Sequence, residues 1–248
     1  MLLLAHRGAS ADAPENTLAA FQTAVEQGAD GVELDVQICL TGEVVVCHDP
    51  RLDRLAGRPT EVLHTSWANL RRLDVGSSLG FRPERIPLLE EVLELLPAHL
   101  TVNVELKCDT VDDHGLTRAT VEVIRKCRAS DRVIVSSFNA FCLWRLMAYA
   151  PELHRGYLID PERSFALHGG VLAPLVSSWS VHPHFHQVTP ERLRWWKSAG
   201  RHLAVWTVDD PAEARRLRAL GVEYCITNQP GVLRRELEET WPNRASAC

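Results

Sequence analysis

Eight short apolar or β-branched runs alternate along the chain with longer stretches of helical period, and that rhythm leaves few folds open. The runs fall near residues 2–6, 31–37, 101–107, 132–138, 155–160, 175–182, 202–208 and 223–227. The helical stretches lie near 16–27, 88–97, 116–128, 139–150, 189–199, 211–220 and 231–240, and segment 160–170 predicts only one short helical turn. Eight βα units in 248 residues favour one closed parallel barrel, the (β/α)₈ TIM barrel, over a doubly wound sheet. A further run, Val44-Val45-Val46-Cys47-His48, follows Thr41-Gly42-Glu43 so closely that it should pair back on the second strand.

Residues 51–87 break the rhythm. They carry seven arginines against four acids and only a broken helical pattern around Thr65–Leu73. A structureless segment of that length is uncommon inside a compact domain, so an inserted cap beside a functional site is expected. No linker divides the chain, and residues 1–248 read as one barrel domain that includes this cap.

A net charge of −5 argues against nucleic acid as a partner, since a phosphate-binding face shows as a basic excess. The seven cysteines are odd in number and no two are spaced as CxxC. They read as core thiols in a reducing compartment, not as a disulfide framework or a zinc site. Met1–Ala5 is too short for a signal-peptide core, and no apolar run approaches the roughly 20 residues of a membrane span. The expectation is a cytoplasmic protein without a membrane anchor.

Charged residues sit where barrel cores are usually apolar. In Gly31-Val32-Glu33-Leu34-Asp35-Val36-Gln37, polar and apolar residues alternate at period two. Val32, Leu34 and Val36 should face the outer helices, which turns Glu33 and Asp35 into the barrel. The same pattern in Val102-Asn103-Val104-Glu105-Leu106-Lys107 turns Asn103, Glu105 and Lys107 inward. Buried carboxylates must pair or hold a metal. One reading is an ion network in which Lys107 and Arg7 neutralise two acids. The other is a metal site, and barrel active sites do gather at the C-terminal ends of strands.

His6-Arg7-Gly8 ends the first strand and His48-Asp49 ends the extra one. Two histidines can act as general acid and base, and the fork of Arg7 suits a phosphate. An all-carboxylate set favours Mg²⁺ or Ca²⁺ over zinc. Trp206, at the end of the seventh strand, can wall the pocket or fill the core. His182, His184 and His186 read as solvated loop histidines before metal ligands. Trp195 and Trp196, with Leu193, read as a buried helix face.

This ordered set of residues resembles the signature of the glycerophosphodiester phosphodiesterases, a family with a cytosolic bacterial branch that lacks a membrane module. His6-Arg7-Gly8, Glu33-x-Asp35 and His48-Asp49 carry the likeness. It continues in Pro14-Glu15-Asn16-Thr17, Ile86-Pro87-Leu88-Leu89-Glu90-Glu91, Glu105-Leu106-Lys107 and Ser136-Ser137-Phe138-Asn139. Trp206-Thr207-Val208 and Ile226-Thr227-Asn228 complete it.

The resemblance implies a barrel with an insertion after the His48 strand and hydrolysis of glycerophosphodiesters to glycerol 3-phosphate and an alcohol. It also implies a divalent metal, Mg²⁺ or Ca²⁺, on Glu33, Asp35 and Glu105. His6 and His48 would be the acid–base pair, with Arg7 and Lys107 on phosphate. In related barrel phospholipases the glycerol 2-hydroxyl attacks first, and that route stays open here. A lysophospholipid-cleaving or cyclising enzyme of the same barrel, and a non-catalytic phosphodiester-binding barrel, are the alternatives. Gln229 stands where a cation is common, and 160–186 matches poorly, so the leaving-group side of the pocket is undefined.

Overall fold

The computed structural model describes residues 1–160 and 173–239. Its strands are β1 (Leu2–His6), β2 (Gly31–Ile38), β3 (Val44–Val46), β4 (Thr101–Leu106) and β5 (Val133–Ser137), followed by β6 (His154–Ile159), β7 (Ser180–Pro183), β8 (His202–Val205) and β9 (Tyr224–Thr227). Helices α1 (Leu18–Glu26), α2 (Asp53–Ala56), α3 (Trp67–Leu70), α4 (Leu89–Leu95) and α5 (Leu116–Lys126) come first. After them come α6 (Ala140–Tyr149), α7 (Pro190–Ser198), α8 (Pro211–Ala219) and α9 (Pro230–Glu239).

All strands but β3 run parallel, and the ring closes because β1 pairs with both β2 and β9. The fold is the expected (β/α)₈ barrel. β3 pairs antiparallel with β2, Val36 opposite Val46, as its short connection requires.

Local chemistry sets the helix starts. Thr17 accepts a hydrogen bond from the Ala20 amide ahead of α1, and Asp210 does the same for Ala212 ahead of α8. Pro190 and Pro211 occupy first-turn positions, where their missing N–H costs nothing. Val32, Leu34, Val36, Val102, Val104 and Leu106 join Phe21, Leu89 and Ile124 of the surrounding helices in one apolar cluster. The alternate residues of β2 and β4 therefore face the barrel interior.

Two expectations need correction. The strand over 175–182 begins only at Ser180, because Pro174 opens a turn in which the Ser177 amide bonds the Pro174 carbonyl. Trp196 is buried at 3% exposure, but Trp195 is 48% exposed, since helix neighbours point about 100° apart. The turn expected over 160–170 lies almost wholly outside the described residues, as does Cys248. The six described cysteines are all free thiols. Among the described residues no helix is long and apolar enough to cross a membrane.

Residues 51–87 are not structureless. Leu52, Leu55, Val62, Leu70, Val75 and Ile86 pack with Cys39, Val45 and Cys47 of the β2–β3 hairpin in a separate apolar cluster. The insertion thus carries its own small core, continuous with the hairpin that leads into it.

Candidate active site

Parallel register assembles the site. His6 lies beside Glu33, Glu33 beside Asn103, and Asp35 beside Glu105 on adjoining strands. After β1 the chain turns sharply through Arg7 and Gly8, both at positive φ. Only glycine fits at position 8, where a Cβ would stand 2.6 Å from the Ala20 main chain. That turn points the Arg7 amide at Glu33, 3.0 Å away, and its guanidinium at Asp35 and Glu15, 3.3 and 2.8 Å away.

Glu33, Asp35 and Glu105 are all buried, each offering a carboxylate oxygen within 4.8 Å of the others. Lys107 reaches Glu105 at 2.8 Å and Asp35 at 3.7 Å. Burial pushes the Asp35 carboxyl up, but Arg7 and Lys107 outweigh it and hold the group below the usual range. Asn16 supports the same anion through a 2.8 Å bond from its side-chain amide.

Two cations do not balance three buried carboxylates. Burial, then the Asp35 and Glu105 charges, drive the Glu33 carboxyl well above the ordinary range. Burial and Asp35 push Glu105 up to about 7 in spite of Lys107. The buried Asn103 Oδ1, which lines the same pocket, has no hydrogen-bond partner. An oxygen-only donor set that is short of positive charge fits a hard divalent cation. Among the described residues it is the one cluster of this kind.

Both histidines line the pocket beside these acids. His6 Nδ1 is 2.7 Å from Asn228 Oδ1, while Asn228 Nδ2 donates to Asp209 at 2.6 Å. With the amide oriented in that way, Nδ1 must be the donor, which leaves Nε2 as an acceptor without a hydrogen bond, 3.9 Å from Glu33 Oε2. His48 Nδ1 sits 2.7 Å from Asp49 Oδ1, which likewise leaves its Nε2 free. Burial is the main cause that lowers both imidazoles, with Arg7 adding at His6 and Lys107 and Arg7 at His48.

Trp206 lines the pocket opposite, edge-on to Phe138 at 5.7 Å, and its indole N–H donates to the His182 carbonyl at 2.7 Å. The expectation of solvated histidines fails for His182. It lies in β7, fully buried, its Nε2 2.8 Å from Ser180 Oγ and its pKa lowered to about 3 by burial. Gly156 makes room for that ring, since a Cβ there would be 2.4 Å from Nε2. His184 is half-buried and His186 exposed, and neither joins a metal-binding group among the described residues.

The supporting residues Glu15, Asn16 and Asn228 stood inside quoted motifs, but their partners were not readable there. Arg54 stood only among the seven arginines of the insertion, and Asp209 had no signal at all.

A parallel barrel that gathers two histidines, two cations and three carboxylates that could bind a metal at the strand C-termini has the layout of a barrel enzyme's active site. The model of the Glycerophosphoryl diester phosphodiesterase family matches residues 6–232. A glycerophosphodiester phosphodiesterase of Caldanaerobacter subterraneus is 37% identical over 235 residues, covering 94% of this chain and 96% of that one. A phosphodiesterase of Oleispira antarctica, solved with the product sn-glycerol 3-phosphate, superposes with a TM-score of 0.87 at 30% identity. That match covers 96% of this chain and 97% of the other. A Thermotoga maritima glycerophosphodiester phosphodiesterase gives 0.76 at 29% identity, over 95% and 97% of the two chains. The chain belongs to the glycerophosphoryl diester phosphodiesterase family.

Proposed function

We propose that the chain hydrolyses small glycerophosphodiesters, such as glycerophosphocholine or glycerophosphoethanolamine, to glycerol 3-phosphate and an alcohol. The observation that carries this is the joining, in one pocket, of two histidines with free Nε2 atoms and an under-neutralised carboxylate cluster. The Oleispira neighbour, solved with that product, supports the substrate class.

In this reading Arg7 and Lys107 hold the phosphoryl oxygens, Trp206 walls the pocket, and Glu33, Asp35 and Glu105 hold Mg²⁺ or Ca²⁺. When bound, such an ion stabilises negative charge on the phosphoryl group. One of His6 and His48 accepts the proton of the attacking hydroxyl or water. The other, entering the step as imidazolium with a proton on Nε2, delivers that proton to the leaving alkoxide. Free thiols and a small polar substrate fit work in the cytoplasm, and the cap and barrel act as one unit.

The insertion bears on substrate size. Its seven arginines against Asp53, Glu61, Asp74 and Glu84 give a local charge of +3, since seven minus four is three. Arg51 and Arg54 are already paired with acids, while Arg58, Arg71, Arg72 and Arg82 are exposed. Leu63, Trp67, Leu79 and Phe81 are all half-buried, so the insertion has no broad apolar face for lipid. Glycerophosphocholine should therefore show a much higher kcat/KM than monomeric lysophosphatidylcholine. The constant should fall as ionic strength rises, because the Debye length shrinks from ~30 Å at 0.01 M to ~3 Å at 1 M. Equal or better turnover of the lipid would overturn the substrate class. It would direct attention to Val111, Phe141 and Trp144, which are exposed outside the insertion. A flat salt response would remove the charged rim.

A further inference from the structure

The insertion sends one side chain back to the site. Arg54 Nη1 and Nη2 each lie 2.8 Å from an oxygen of Glu15, and its Nε lies 2.8 Å from Asp49 Oδ2. The same two carboxylates serve the chemistry proposed above. Glu15 Oε1 also accepts from Arg7 Nη1 at 2.8 Å, and Asp49 Oδ1 is bonded to His48 Nδ1 at 2.7 Å. One guanidinium therefore ties together the groups that aim a phosphate-binding arginine and an acid–base histidine.

The tie is pre-set by the insertion's own packing. Leu52 and Leu55, on either side of Arg54, are buried in the insertion's apolar cluster. The Leu52 amide bonds the Thr60 carbonyl, the Val62 amide bonds the Pro50 carbonyl, and Gly57 turns the chain out of α2 at φ +64°. Arg54 thus projects from a pinned turn, not from a mobile loop tip. Its three nitrogens match two carboxylates in a fork that a lysine ammonium cannot reproduce.

We infer that Arg54 is a positioning residue: through Asp49 it fixes the His48 ring, and through Glu15 it fixes Arg7, so that the insertion completes the site. This rests on the proposed hydrolysis. A catalytic group displaced by about 1 Å can cost on the order of 10²-fold in rate, although Arg54 touches no reacting atom.

The test compares wild type, Arg54→Ala, Arg54→Lys, Asp49→Asn and the Arg54→Ala/Asp49→Asn double variant, with glycerophosphocholine as substrate. Arg54→Ala should lower kcat by about tenfold to a hundredfold. Lysine should recover little of that loss, whereas added guanidinium ion should restore several-fold of it. The double variant should fall little below the worse single one, because both lesions act on one coupled unit. Nitrogen-edited NMR of the imidazole protons supplies a readout without turnover: the His48 Nδ1–H signal should persist in wild type and be lost in Arg54→Ala. If wild type proves inactive on the diester, the proposed reaction fails while this signal still reports on Arg54. A kcat for Arg54→Ala within about twofold of wild type, fully multiplicative losses in the double variant, or an unchanged His48 signal would overturn the inference.

Discussion

Exhaustive chelation should abolish turnover of glycerophosphocholine, and Mg²⁺ or Ca²⁺ should restore it. Asp35→Asn, which takes away the most enclosed of the three acids, should lower kcat by ~10³-fold, equivalent to about 4 kcal/mol of transition-state stabilisation. The expectation follows from charge balance in a buried place. Arg7 and Lys107 offset two of three carboxylates, and the excess falls on Glu33 and Glu105, whose acidities are weakened by burial and by the Asp35 charge.

The same shifts give a pH signature. Glu105 is raised from 4.5 to about 7 in the folded chain, so its contribution to stability is full below about 4.5 and is lost as pH rises through about 7. Glu33 shifts in the same direction. A divalent ion held on these acids would take the place of those protons, so the rise in Tm on adding Mg²⁺ or Ca²⁺ should be larger at pH 8 than at pH 5. Undiminished turnover after chelation, with equal Tm shifts at both pH values, would mean that the acids form an ion network instead.

Most of this site was legible before any coordinates. Alternation at period two puts Glu33, Asp35 and Glu105 inside the barrel, because a strand covered by helices must turn its apolar residues outward. Strand ends mark His6, Arg7, His48 and Lys107 for the same topological reason, and all four line the pocket. What was not legible depends on contacts across long sequence separations. Asn228 reaches His6 over 222 positions and Arg54 reaches Glu15 over 39, and no local pattern announces either bond.

His182 was misread because Pro183 and the clustered histidines imitate a loop. The absent side chain of Gly156, on the preceding strand β6, is what makes room for that ring. Trp195 was misread because the eye groups an adjacent pair that the helical period separates.

His6→Ala and His48→Ala should each lower kcat by about 10²-fold or more, the usual scale for removing a proton-transfer group. Both variants should stay folded with KM within a few-fold of wild type. The geometry supports equal weight for the two. Each ring has Nδ1 committed to a partner, Asn228 for His6 and Asp49 for His48, and each keeps Nε2 for the pocket. In the proposed reaction one ring accepts a proton and the other donates one, so kcat/KM should be bell-shaped in pH for wild type, and each alanine variant should lose one limb. A His48→Ala enzyme that turns over at nearly the wild-type rate, with both limbs intact, would take that residue out of the chemistry.

Phosphorus NMR of glycerophosphocholine incubated with the wild-type chain and a divalent cation tests the central claim most directly. The diester resonance should be replaced, one for one, by that of glycerol 3-phosphate as choline is released, and it should stay unchanged when the cation is chelated. Phosphocholine in place of glycerol 3-phosphate, or an intact diester with the cation present, would contradict the proposed reaction.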